Sequence, residues 1–462
     1  MHLVMIGGSD AGISAALRAR ELDPSADVTV VVADSYPNFS ICGIPYYISG
    51  EVPHWRNLAH RTTADLEATG MLLRLDTTAR RIDVPGRKLL VTGPDCGREL
   101  LSYDQLVIGT GAVPVRPPIS GLDQLGPADG VHLLHSMGDT FALMATLEQT
   151  EPASAVIVGA GYIGLEMADA LTTRGLAVTQ LEQLPEVLPT VDPELGSHVH
   201  AQLAGHGVEV LAGTAVRQIS RAAPGQAGRL RVDAAAADGT AVTRLADLVL
   251  VVVGVRPDTT LAAEAGASLG VRGAIAVDRG MRTGLPAIFA AGDCVVTRHR
   301  LLGETYLPLG TTAHKQGRVA GENALGGDRE FAGSLGTQVV KIFDHAAART
   351  GLRDHEATAA GYDPVTITAG ADDHKAYYPG SHRIAMRVTG DRTTGRLLGM
   401  QLFGHKNAEI AKRIDIAATA IYHGMTVDGL SDLDLSYTPP LGSPWDAVQI
   451  GAQAWTAAAR PG

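Results

Sequence analysis

Short apolar runs punctuate this chain, and two of them break off at a glycine-rich turn that opens into helical spacing. The first, His2–Ile6, reads as a strand that stops at Gly7-Gly8-Ser9-Asp10-Ala11-Gly12; Ile13–Leu22 then carries apolar residues at helical intervals. Val28–Ala33 reads as the next strand and ends at Asp34, and Leu106–Ile108 as a buried strand running into Gly109-Thr110-Gly111. Pro114–Pro118 reads as a stiff linker. The pattern returns at Ala155–Val158, followed by Gly159-Ala160-Gly161-Tyr162-Ile163-Gly164, a helix stopping at Gly175, and a strand Ala177–Leu181 ending at Glu182. Arg229–Ala234 and Ala241–Val253 read as strands joined by an Asp238-Gly239 turn. A further strand ends in Gly292-Asp293, and Leu309–Gly326 reads as a helix rich in small residues. From Phe331 longer strands take over: Gln338–Phe343, Asp363–Thr368, Arg383–Thr389 and Arg396–Phe403, with a hairpin turn over Asp391–Gly395 and an amphipathic helix Ala408–Tyr422. The predicted class is α/β, with two Rossmann-like units and a separate C-terminal α+β domain.

Composition narrows the picture. At 462 residues the chain exceeds one core, and about three domains are expected. Hydrophobic residues at 45% and charged ones at 19% describe a globular chain. A net charge of −11 with no basic run argues against nucleic acid and against an anionic membrane surface as partners. Apolar runs such as Leu248–Val255 have strand length, so no membrane span is expected. Cys42, Cys96 and Cys294 suit neither a disulfide framework nor a zinc site, and the 16 histidines show no ligand spacing, so no metal is inferred. The chain enters a strand at once, without a signal peptide pattern, which makes a reducing cytoplasm the expected compartment.

The two glycine turns suit pyrophosphates: the first glycine makes the turn, and the last lets helix and strand pack closely. The first turn has Ser9 in the middle position; the second keeps Gly159, Gly161 and Gly164. Glu182 follows about twenty residues on, where an acid binds a free ribose 2′-hydroxyl. Gln183 and Leu184 follow it, with no arginine for a 2′-phosphate, so NADH is expected over NADPH. Cys42 lies in the stretch Asn38–Gly50, ahead of a short helical run with Pro45 in its first turn. Helix N–H groups there would stabilise a thiolate; the alternative is a small buried hydrophobe. Cys96 and Cys294 read as structural. Two dinucleotide folds and one thiol point to hydride transfer through a flavin, with sulfur relaying the electrons.

These motifs together resemble the flavin-dependent pyridine nucleotide–disulfide oxidoreductases, over essentially the whole chain. The shared marks are Gly7–Gly12, Thr110-Gly111-Ala112 before Pro114, Gly159–Gly164 followed by Glu166, Gly254-Val255-Arg256-Pro257, and Ala291-Gly292-Asp293. Asn38-Phe39-Ser40-Ile41-Cys42-Gly43-Ile44-Pro45-Tyr46 is similar to the single-cysteine branch of coenzyme A disulfide reductase, persulfide reductase, NADH oxidase and NADH peroxidase. Dithiol reductases carry a second cysteine where this chain has Tyr47.

The resemblance implies an FAD-binding domain in two parts, residues 1–118 and 256–330, an NAD-binding domain at 119–255, and a dimerisation domain at 331–462. Gly7, Gly12, Asp34, Thr110, Gly111 and Asp293 would hold FAD; Gly159, Gly161, Gly164, Glu166 and Glu182 would hold NADH. Cys42 would be the redox cysteine, faced by Tyr437 and Tyr377 of the other subunit of a homodimer. A small disulfide or persulfide is the implied substrate, of the coenzyme A disulfide type. The other expectations are an oxidase or peroxidase and a flavin-based redox sensor. Three departures stand out. The usual ribose acid of the FAD half falls on Val32, so Asp34 must serve. The histidine of the oxidases and peroxidases is Asp10, and the arginine that helps hold coenzyme A phosphates is Glu21, with Arg18 and Arg20 as neighbouring substitutes.

Overall fold

The computed structural model describes residues 1–459, which form two compact units. One contains Met1–Val115, His135–Thr140 and Gly254–Ser334; the other contains Arg116–Leu134, Phe141–Val253 and the chain from Leu335.

In the first unit, apolar strands form a five-stranded sheet in the order Ile288–Ala290, Gln105–Ile108, His2–Ile6, Asp27–Val31, Leu72–Arg74. Every pairing is parallel. Leu3, Met5, Val28, Val30 and Val107 are buried on one side of it, and Val4, Ile6, Leu106 and Ile108 on the other. Such strands read as continuous apolar runs because both faces are covered. The helix Asp10–Leu22 and the helix Gly310–Ala324 pack together on the first of these sides. Their approach is set by glycine: a Cβ on Gly317 would lie 2.3 Å from the Ala11 carbonyl oxygen, and one on Gly321 would lie 2.2 Å from that of Ala15. A separate meander, Thr78–Asp83, Lys88–Thr92 and Arg98–Ser102, pairs antiparallel.

The second unit repeats the parallel plan in the order Glu209–Leu211, Ala177–Leu181, Ser154–Val158, Leu248–Val251, Val131–Leu133. The apolar stretch expected as one strand over Ala241–Val253 is two. Ala241–Ala246 closes an antiparallel sheet with Thr214–Arg221 and Leu230–Ala236, and Leu248–Val251 joins the parallel sheet. The break is Asp247, whose carboxylate accepts from the backbone N–H groups of Ala153 (2.9 Å) and Ser154 (3.1 Å). The C-terminal region forms a five-stranded antiparallel sheet in the order Gln338–Ile342, His345–Gly351, Leu397–His405, Arg383–Asp391, Pro364–Asp372. The second of these was not anticipated; alanine-rich and buried, it lacks the β-branched signature of a strand. The helix Ala447–Ala459 was not anticipated either.

The helix crossing gives a test of the packing. Gly321→Ala should destabilise the protein by about 1–3 kcal/mol, because the methyl group meets backbone that cannot rotate away. Gly93→Ala, where an added Cβ meets nothing within 4 Å, should stay within about 0.5 kcal/mol. Urea midpoints compare the two; equal midpoints would show that the crossing tolerates a side chain.

Candidate functional site

In each unit the chain goes from the central strand to the strand on one side (Asp27–Val31, Ala177–Leu181) and only later crosses to the strand on the other (Gln105–Ile108, Leu248–Val251), and ligands bind outside the carboxyl ends of strands at such a point. Both glycine turns lie there. In the first, Gly7 has φ +110°, and a Cβ on Gly12 would stand 2.0 Å from the Gly7 carbonyl oxygen. Ser9 is exposed with an ordinary negative φ, so the position where this chain departs from glycine is one that tolerates a side chain. In the second turn Gly159 has φ +104°, and a Cβ on Gly164 would lie 2.1 Å from the Gly159 carbonyl oxygen. Gly161 differs: its Cβ would meet nothing within 4 Å, leaving room for a phosphate to approach the backbone.

Thr110, Gly111 and Asp293 follow neighbouring strands of the first sheet and reach the same edge as Gly7 and Gly12. The Thr110 hydroxyl donates to the Asp258 carbonyl at 2.6 Å, and the Asp258 N–H donates to Gly111 at 3.0 Å. Gly292 N–H donates to Gln316 Oε1 at 2.9 Å, which ties the Asp293 loop to the glycine-rich helix. Burial pushes the Asp293 carboxyl up to about 7, with the nearby Asp10 carboxylate adding to the rise. Cys294 is buried, and burial lifts its thiol to about 11, so it carries no thiolate at neutral pH.

The acids expected at the riboses differ in setting. Val32 is buried against the first turn, 2.5 Å from where a Gly8 Cβ would be. Asp34 is exposed, and its carboxylate accepts from Tyr36 N–H at 2.9 Å. Glu182 is buried, with one oxygen accepting from Ala160 N–H in the second glycine turn (2.8 Å) and the other from Leu184 N–H (2.9 Å). It therefore braces the turn as well as facing it. Glu166 lies half-buried on the helix that leaves this turn.

Cys42 is exposed and occupies the 3₁₀ turn Ile41–Gly43, directly before the helix Ile44–Ser49 with Pro45 in its first turn. The expected helical run is thus only six residues long. Backbone bonds fix the loop: Asn38 N–H donates to Gly8 (2.7 Å), His60 N–H to Asn38 (3.0 Å) and Ser40 N–H to Leu58 (2.8 Å). Cys42 is thereby carried on a loop pinned to the first glycine turn. Asn38 Nδ2 is a buried donor with no acceptor among the described residues. Beside that turn lie His60 and His314, which spacing along the chain did not bring together with Asp10.

Arg18 and Arg20 are committed elsewhere. Arg18 pairs with Glu322 (2.6 Å) and Glu21 (3.0 Å), Glu21 also pairs with Arg318, and Arg20 donates to the carbonyls of Thr69 and Ala26. In the second unit, Tyr377 is 73% exposed and Tyr437 44% exposed. Their loops are joined where Lys375 N–H donates to the Pro439 carbonyl, and Leu441 and Trp445 are exposed nearby in sequence.

Comparison with known proteins agrees with this layout. Residues 1–317 match the pyridine nucleotide-disulphide oxidoreductase family, and residues 337–447 match its dimerisation domain. The chain is a member of that family of FAD- and NAD(P)H-dependent oxidoreductases. It is 34% identical over 453 residues, 98% of each chain, to an NAD(P)H sulfur oxidoreductase (CoA-dependent) of Pyrococcus furiosus. It is 31% identical over 456 residues, again 98% of each chain, to an NADH oxidase of Methanocaldococcus jannaschii. A solved NAD-dependent persulfide reductase from A. fulgidus superimposes with a TM-score of 0.91 at 37% identity, covering 99% of this chain and 83% of that one. No described helix is long and apolar enough to cross a membrane.

The residues present fit the family's cofactors. Gly12 and Gly164 let each helix start close on its turn, Gly161 leaves a cradle that a Cβ would fill, and Asn38 keeps a buried donor in reserve. Asp293 gives a test. Its folded pKa lies above the unfolded value, so its favourable contribution is complete below about pH 4 and lost as pH rises through about 7. In FAD-free protein, Asp293→Asn should therefore raise Tm over the parent at pH 8 and leave it unchanged at pH 4. A gain of equal size at both pH values would remove charge burial as the cause.

Proposed function

We propose that this protein is an NADH-dependent FAD flavoenzyme that reduces a low-molecular-weight disulfide or persulfide through Cys42, working as a homodimer. The observation that carries this reading is the exposed Cys42 on a loop fastened to the first glycine turn. Residues 1–118 and 256–330 would hold FAD, with Gly7, Gly12, Asp34, Thr110, Gly111 and Asp293 around it. Residues 119–255 would hold NADH through Gly159, Gly161, Gly164, Glu166 and Glu182, and residues 331–462 would form the dimer. Bound FAD supplies the two-electron connection between nicotinamide and sulfur.

The chain's own part is sulfur and proton chemistry. Cys42 thiolate attacks one sulfur of the substrate, forming a mixed disulfide and expelling the other sulfur as a thiolate. Tyr437 of the partner subunit, with the partner's Tyr377 beside it, gives that thiolate its proton. The exposed tyrosines, with Leu441 and Trp445, support a face that a second copy covers. The sulfur and persulfide reductases among the relatives support the substrate class. Arg18 and Arg20 are both occupied, which favours a substrate that draws no phosphate anchor from them. The buried carboxylate of Glu182 would repel a 2′-phosphate.

A second reading, reduction of oxygen or peroxide through a Cys42 sulfenic acid, draws on the NADH oxidases among the relatives. Rates of NADH consumption with disulfides, persulfides, oxygen and peroxide separate the two. Sulfur substrates should turn over fastest; a higher turnover with oxygen or peroxide would favour the second reading.

Two variants probe the chemistry. Cys42→Ser should keep FAD and its reduction by NADH while losing disulfide turnover by at least about a hundredfold; undiminished turnover would take Cys42 out of the reaction. Tyr437→Phe should bind FAD normally and slow disulfide turnover by about tenfold or more. Re-forming dimers from Cys42→Ser and Tyr437→Phe chains should recover activity, and no recovery after verified subunit exchange would exclude a shared site. With the parent enzyme, kcat/KM for NADH should exceed that for NADPH by at least about tenfold. Equal values would show that Glu182 does not select the cofactor.

A further inference from the structure

The first unit gathers two histidines and a carboxylate that the sulfur chemistry does not use. Asp10 opens the helix Asp10–Leu22, His314 lies in the first turns of Gly310–Ala324, and His60 follows the Cys42 loop. One ligand atom from each falls within 4.8 Å of the other two. His314 Nε2 stands 3.4 Å from Asp10 Oδ1. Tetrahedral zinc ligands at bond lengths near 2.0–2.1 Å are separated by about 3.3 Å, so this edge is already at ligand spacing.

We propose that Asp10, His60 and His314 form a binding site for a divalent transition-metal ion of the zinc class.

The surroundings are arranged for it. Ser14 Oγ lies 2.8 Å from His314 Nδ1 and occupies that nitrogen, which leaves Nε2 as the ligand and fixes the ring, as an outer partner of a metal-bound histidine does. The ring cannot drift far, because Gly317 and Gly321 hold its helix against Ala11 and Ala15. His60 is held from the other side: its N–H bonds Asn38, and Asn38 N–H bonds Gly8, two residues before Asp10. Two imidazoles with one carboxylate suit zinc, cobalt or nickel, whereas magnesium and calcium take oxygen ligands. With three protein ligands the fourth position stays open, the arrangement of zinc sites that bind water or a small anion.

The test reads metal and not turnover, so it is independent of the sulfur-reduction reading. Chelator-treated, FAD-loaded protein would be titrated with Zn²⁺ by calorimetry and with Co²⁺ by the visible bands beyond the flavin absorption. One equivalent per chain is expected at micromolar affinity or tighter, unchanged in Cys42→Ser. His314→Ala and His60→Ala should each weaken it by at least about tenfold, with FAD content and Tm like the parent. Because His60 is exposed, His60→Ala keeps the test available if His314→Ala folds poorly. Absence of stoichiometric binding, binding lost with Cys42→Ser, or equal affinity in well-folded histidine variants would each overturn the proposal.

Discussion

The first unit depends on one contact, the approach of two helices at Gly317 and Gly321. Each of these glycines faces a backbone carbonyl, of Ala11 and of Ala15, at a distance where a methyl group could not fit. Everything at the carboxyl edge of the sheet is set from there. Gln316, one residue before Gly317, holds Gly292 and with it the loop of Asp293. His314, one turn earlier, meets Asp10 and Ser14. At the far end of the crossing Arg18 closes on Glu322. Interiors pack too densely for such a contact to drift, so side chains some three hundred residues apart in sequence keep a fixed relation.

The same device recurs inside each glycine turn, where Gly12 lies on Gly7 and Gly164 on Gly159. What varies is the middle position. Gly161 faces open space, whereas Ser9 presents a hydroxyl to solvent and hands the helix start to Asp10. A turn that lacks the middle motif glycine still folds, because the first and last are the ones that meet backbone. Glu182 has a similar double character. Its carboxylate bonds Ala160 and Leu184, so an acid read from sequence as a cofactor ligand is also part of what shapes the turn.

The second unit carries aromatic residues that its own fold leaves uncovered. Tyr377, Tyr378, Tyr437 and Trp445 are all exposed, and so is Leu441 between the last two. Burying such surface is the usual driving force for association of two chains. Charged groups here are instead consumed internally: Glu356 receives Arg349 and Arg353, and Asp192 receives Arg387 and Gln401.

The sequence by itself determined the family, the two turn-and-helix units and the cysteine loop. The reason is local: strand periodicity, turn glycines and a proline in a helix's first turn are demands that neighbouring residues make on one another. Where demands came from elsewhere, the sequence was silent. Ala241–Val253 is continuously apolar in its second half, yet the chain changes sheets at Asp247 because that carboxylate caps Ala153 and Ser154. His345–Gly351 becomes a strand only because Gln338–Ile342 and Leu397–His405 flank it. Arg18 and Arg20 looked available until the fold supplied Glu322 and two carbonyls. The meeting of Asp10, His60 and His314 has no spacing to announce it; a helix crossing and a pinned loop bring the three together, and only the folded chain contains either.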